Sequence, residues 1–111
     1  MTDPAMETVD SHGMTAERAF ADVWSRDTLS VRSRRLLLLG LLVGQGLDGQ
    51  VDVQLDAALR TGDLSESELR EVVVFLTHYA GWSRGARLST QVEELLHRVR
   101  QDRSGRGAPP G

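Results

Sequence analysis

The chain contains no cysteine. That one absence removes disulfides, thiolate metal sites, thiol nucleophiles and dithiol redox chemistry together, and it fits a cytoplasmic protein. No apolar run is long: Leu36 to Val43, with Gly40 inside it, falls well short of the roughly 20 residues that span a bilayer. Neither sign of charge dominates. Thirteen basic and sixteen acidic residues are mixed along the chain for a net charge of -3, so no field calls for nucleic acid or an anionic membrane surface. The start MTDPAMETVDSHG is acidic and polar, without a basic region leading into an apolar run. It is not a secretory signal, and a cytoplasmic location is expected.

Aromatic residues are scarce at 5%, against 40% hydrophobic residues in all, so aliphatic side chains must fill the core. That favours packed helices over sheets. A chain of 111 residues has room for one domain. Residues 1–13 and 101–111 carry Gly, Pro, Ser and charge without apolar periodicity and are expected to be flexible tails around a helical domain over 14–100. A fold this small buries only about 60 to 65% of its unfolded surface, so association with a partner subunit is expected.

Apolar spacing predicts five helices. The first runs from Thr15 to about Ser25, with Phe20 and Trp24 four apart as an aromatic anchor. The second runs from Ser30, an N-cap, through Leu42; it is apolar nearly all round from Leu36 and is expected to be the central helix. Three glycines within residues 44–49 predict a flexible connection, and a third helix spans about Val51 to Arg60. Gly62 stands where a left-handed C-cap belongs, and Ser65-Glu66-Ser67-Glu68 is a capping-box pattern. The fourth helix, Glu66 to Ala80, places Leu69, Val72, Val73, Leu76, Tyr79 and Ala80 on one face with Val74 and Phe75 off it, which predicts burial on two sides. Gly81 breaks the chain, and a fifth helix from about Ser83 to Arg100 carries Leu88, Val92, Leu95, Leu96 and Val99 in a seam. Short connections make an antiparallel all-α arrangement the simplest outcome.

Four segments together resemble the γ-carboxymuconolactone decarboxylase branch of the carboxymuconolactone decarboxylase family. They are Val23-Trp24-Ser25-Arg26, Leu29 through Leu36, Ala57-Ala58-Leu59-Arg60-Thr61-Gly62, and Glu68-Leu69-Arg70-Glu71-Val72 closing on Tyr79-Ala80-Gly81. The resemblance implies the all-α fold shared with alkylhydroperoxidase D-like proteins. It also implies rings of subunits, commonly trimers or hexamers, with sites near subunit contacts. Relatives with a Cys-x-x-Cys-x-x-x-His motif are peroxidases; here the two cysteine positions fall on Leu47 and Gln50. The decarboxylases keep a histidine in a His-x-x-Ala-Ala-Leu setting, and that position is Gln54, while Gln50 replaces an acidic residue four before it. Glutamine donates and accepts hydrogen bonds but exchanges no proton near neutral pH.

Decarboxylation in the family needs no metal or organic cofactor, because the electrons left by carbon dioxide spread into the unsaturated lactone. The resemblance therefore assigns an anion clamp to Arg34 or Arg32, beside Arg35, and a donor to the developing oxyanion to Gln54. The alternative for the arginines is a solvated first turn or a salt-bridged interface. His78 is the candidate replacement acid, against an ordinary hydrogen-bonded histidine. Gln50, Tyr79 and Trp82 are candidate pocket walls, against plain packing. His12 and His97 belong to a tail and to the last helix, and no His, Asp and Glu grouping has metal-ligand spacing.

Two function classes follow. One is a cofactor-independent enzyme, carrying out decarboxylation or proton transfer on a small cyclic acid, lactone or biosynthetic intermediate. The other is a non-catalytic oligomeric scaffold or ligand-binding protein that has lost the catalytic histidine. In either case the purified protein should show no turnover of an organic hydroperoxide, with or without a dithiol reductant, in a peroxide-consumption assay.

Overall fold

The computed structural model describes residues 18–107, and side chains over 18–105. The expected tail over 1–13, with His12, lies outside those residues, as do the start of the first helix and the last four positions of the second tail. The described residues are all-α, with five helices and no strand. They are α1 over residues 18–25, α2 (Val31–Gln45), α3 (Asp48–Thr61), α4 (Glu66–Ala80) and α5 (Trp82–Gly107). The chain divides into two compact units, Met1–Arg34 and Arg35–Gly111, with α2 running through the boundary.

In the first unit the rings of Phe20 and Trp24 lie 5.9 Å apart, as one helical turn allows. Phe20 is 61% exposed, so this is a surface pair. Ser30 caps α2 as expected, its Oγ accepting from the Ser33 amide at 3.0 Å. Arg34 donates from Nη1 to the carbonyls of Trp24 (3.3 Å) and Leu29 (2.5 Å). It thereby ties the end of α1 and the connection behind it to the first turn of α2.

In the second unit the core is aliphatic. Its fully covered side chains include Leu39 of α2, Val51 and Leu55 of α3, Leu69 of α4, and Leu88, Val92, Leu95, Leu96 and Val99 of α5. The whole expected seam of α5 is buried, and α5 packs against both α3 and α4. The central role expected for α2 thus falls to α5. Leu37 and Leu41 of α2 are exposed, because a helix packed on one side leaves its outer face uncovered however apolar it is. The same holds for α4: Val72, Val73, Leu76 and Ala80 pack on the core, while Val74, Phe75 and Tyr79 are exposed. Among the described residues, nothing buries the second side of α4.

The punctuation follows local chemistry. Gly62 takes φ +80 at the end of α3, and Ser65 with Glu68 completes the capping box of α4. The glycine-rich connection is shorter than expected, because α2 continues to Gln45 and α3 begins at Asp48. Gly46 alone takes φ +71. The Leu47 amide reaches back to the Leu42 carbonyl, and the Gly46 amide to that of Val43. This six-to-one and five-to-two pair turns the chain in two residues. Asp48 in the first turn of α3 complements the helix dipole there, so Gly49 is carried inside a helix. At the other end α5 continues to Gly107, past its expected stop at Arg100.

α5 is fastened to its neighbours by polar contacts as well. Buried Gln91 donates from Nε2 to the Asp48 carbonyl (2.9 Å) and to Asp52 Oδ1 (2.8 Å), joining it to the start of α3. Arg70 and Glu93 bridge α4 and α5 through two hydrogen bonds, and that guanidinium holds the Glu93 carboxyl below its ordinary range. Where α4 and α5 meet, Gly85 is buried against Thr77. A Cβ added there would overlap the Thr77 hydroxyl, Cβ and methyl group.

Gly85→Ala should therefore destabilise the protein by about 1–3 kcal/mol, the usual cost of overpacking, despite a helix-propensity gain of about 1 kcal/mol. Gly49→Ala, whose Cβ meets nothing within 4 Å, should gain that propensity freely. Urea-denaturation midpoints of the two variants, moving in opposite directions from the parent, are the check.

Candidate functional site

Gln54 lies on α3, one turn after Gln50 and on the same face, and is half-buried, whereas Gln50 is exposed. Its Oε1 accepts from Nη1 of Arg35 at 2.5 Å, and Nη2 of Arg35 pairs with Asp63 Oδ2 at 3.2 Å. The Arg35 side chain is only 12% exposed, so α2, α3 and the loop after α3 hold a largely buried cation between an amide and a carboxylate. A guanidinium can only donate, so its bond to Gln54 fixes which end of the amide faces it. Nε2 of Gln54 is left as a donor with no hydrogen-bond partner among the described residues. The arrangement can stabilise negative charge and has no proton to give.

The other residues singled out from sequence are spread over the fold. Arg32 is exposed on the first turn of α2, and Arg34 spends Nη1 on two backbone carbonyls; both belong to the first unit. Of the three neighbouring arginines, it is Arg35 that meets Gln54. His78 is exposed on α4, with Nδ1 2.8 Å from the Val74 carbonyl. A carbonyl only accepts, so Nδ1 is the donor in this contact. Tyr79 stacks on Phe75 with ring centroids 4.9 Å apart. Tyr79 and Trp82 are 79% and 81% exposed, so among the described residues neither walls a pocket.

A cavity of about 570 Å³ opens elsewhere in the second unit, between the end of α2, the start of α3 and the first turns of α5. Val43, Val51, Ala80 and Leu88 supply its apolar wall, and Asp48, Ser83, Arg84, Arg87 and Gln91 its polar groups. Arg87 is paired, its Nε 3.1 Å from Asp48 Oδ2. None of the candidate site residues read from the sequence lines it. Two signals in the sequence do point there: two arginines three apart in the opening turns of α5, where the helix dipole disfavours cations, and Gln91 in the middle of an apolar seam. Among the described residues, no group of three or more His, Cys, Asp or Glu could hold a metal ion. No described helix is long and apolar enough to cross a membrane.

The model of the carboxymuconolactone decarboxylase family matches residues 10–94, most of the chain. The chain belongs to that family. Its all-α architecture is the one the resemblance implied, and the match takes in both the Arg35–Gln54–Asp63 arrangement and the cavity. This family member is also similar to the nitrosuccinic acid decarboxylase npaB of Metarhizium robertsii, with 34% identity over 68 residues. That stretch is 61% of this chain and 47% of the relative. The chain therefore spans about half the length of the curated relative it matches. No solved structure matches it.

Proposed function

We propose that this protein is a cofactor-independent decarboxylase of a small organic acid whose carboxylate stands beside a strong electron sink. The observation that carries the proposal is Gln54, a hydrogen-bond donor where the resemblance expects a histidine, oriented by Arg35. The chain has neither lysine nor cysteine. No side-chain amine can therefore draw electrons from a keto acid as an imine, and in a cofactor-independent reaction the substrate itself supplies the sink. Both decarboxylation substrates connected with these comparisons carry one. In the lactone of the family name it is the unsaturated carbonyl. In nitrosuccinic acid, the substrate named for the relative, it is the nitro group.

The nitro case suits a site without an acid. Breaking the bond between the carboxylate carbon and the carbon bearing the nitro group releases carbon dioxide and leaves the electron pair on the nitro oxygens as a nitronate. That anion is stable enough to take its proton from water afterwards. Nε2 of Gln54 donates to the oxygen where the charge develops, and Arg35, anchored by Asp63, holds the amide in place and adds positive potential. In this proposal Arg35 is a positioning residue, and neither the clamp role that the resemblance gave to Arg34 nor the replacement-acid role considered for His78 is needed.

The second reading, a ligand-binding protein without turnover, is favoured by one specific observation: the Arg34 guanidinium, the family-type clamp, is engaged by backbone carbonyls. Both readings include a homo-oligomer, a trimer or hexamer by family resemblance. Its support is the exposed Val74, Phe75 and Tyr79 of α4 with Trp82 beyond them. Such a face needs a partner subunit to leave water.

Carbon dioxide release from nitrosuccinate, followed against the uncatalysed rate, should show turnover that Gln54→Ala lowers by roughly 10² to 10³-fold. γ-Carboxymuconolactone, whose enolate-like product does need an acid, should be turned over poorly, and Gln54→His should raise it measurably. Turnover of neither acid would leave the ligand-binding reading. Light scattering at micromolar concentration should report an assembly larger than a monomer, and Phe75→Asp combined with Tyr79→Asp should reduce its mass.

A further inference from the structure

We propose that the cavity beside α5 is a binding site for a small monocarboxylate with an apolar body, gripped by Arg84. The inference is independent of the decarboxylase proposal, since Gln54 and Arg35 are not among the cavity's walls.

Three observations carry it. First, a volume of about 570 Å³ lies within the range of small-molecule sites, roughly 300 to 1,000 Å³. Second, the charges on its walls do not cancel. Arg87 is paired with Asp48, whereas Arg84 has no hydrogen-bond or ion-pair partner among the described residues. Two guanidiniums and one carboxylate leave a single positive charge facing the cavity. Asp52, one turn after Asp48, is not on the wall and accepts from Gln91. Third, Arg84 is placed against the rim. Its Nε and Nη2 lie 3.8 Å from where a Cβ on Gly46 would stand, so the guanidinium lies over the turn at contact distance.

The local surroundings agree. α5 has no acidic residue in its first turn and instead carries Arg84 there, a cation at the positive end of a helix dipole. A bound anion relieves that conflict while a solvated arginine does not. The forked guanidinium suits a carboxylate in two parallel hydrogen bonds, with the Ser83 hydroxyl beside it as a further donor. The single unbalanced charge selects a monoanion, and the aliphatic wall of Val43, Val51 and Leu88 selects an apolar body over a polar one.

Benzoate and acetate serve as probes, titrated by calorimetry and by amide shifts in solution, with no turnover involved. Benzoate should bind and shift the amides of Gly46, Ser83 and Arg84, and acetate should bind about tenfold more weakly for want of an apolar body. Arg84→Gln should weaken benzoate about tenfold or more. Arg98→Gln, which removes the same charge from an exposed position further along α5, should leave its affinity unchanged. Equal losses in the two variants would reduce the effect to the general field and overturn the proposal. So would no binding at millimolar benzoate, shifts confined to residues away from the cavity, or inorganic phosphate competing as well as benzoate does.

Discussion

The core of the second unit and the cavity at its edge depend on how closely α5 approaches its neighbours. The approach is set at one point by the absence of a side chain: Gly85 lies against Thr77, with no space for a methyl group between the helices. From there the seam from Leu88 to Val99 runs into the core, and Gln91 reaches the first turn of α3. Close packing of this kind resists change because interiors of near-crystalline density have few alternatives. The cavity is the space left where α5 begins, before the seam closes against α3. Its shape is inherited from the helix contact that follows it.

α3 serves two purposes with two faces. One face carries Gln50 and Gln54 and meets Arg35 of α2; another, through Asp48 and Asp52, is bound to α5. Both attachments are polar and at least partly buried, which makes them directional where the aliphatic core is not. The buried guanidinium of Arg35 is costly to desolvate, and Asp63 and Gln54 offset that cost only while all three are in place. Such an arrangement favours one orientation of the Gln54 amide over the other. A donor whose direction is fixed before any ligand arrives needs no reorganisation when charge develops.

The helices and most of their boundaries were legible in the sequence because the signals are local. Ser65 and Glu68, Gly62 and Ser30 each act within one turn, and the α5 seam repeats at helical spacing. What patterning gave less well was environment. Leu37, Leu41, Phe75 and Tyr79 are apolar like the core residues, and nothing within their own helices says that no described neighbour covers them. The family resemblance led to Gln54 but not to its partner: Arg32, Arg34 and Arg35 look alike in sequence, and only the rotation of α2 decides which meets α3. The cavity was least visible, since it is defined by two stretches far apart in the chain, 43–51 and 80–91. Its traces were two arginines at the wrong end of a helix and a glutamine amid leucines and valines.

The two-residue turn at Gly46 and Leu47 has a consequence for how the protein can vary. It joins α2 and α3 with no slack, so it fixes the phase of α3 as well as its direction. One residue added there would advance α3 by about 100° about its axis, carrying Gln54 off Arg35 and Asp48 off Arg87 in the same movement. Side chains around both polar attachments can be exchanged singly, but the length of this connection cannot drift. The turn is the point at which the two faces of α3 are kept in step.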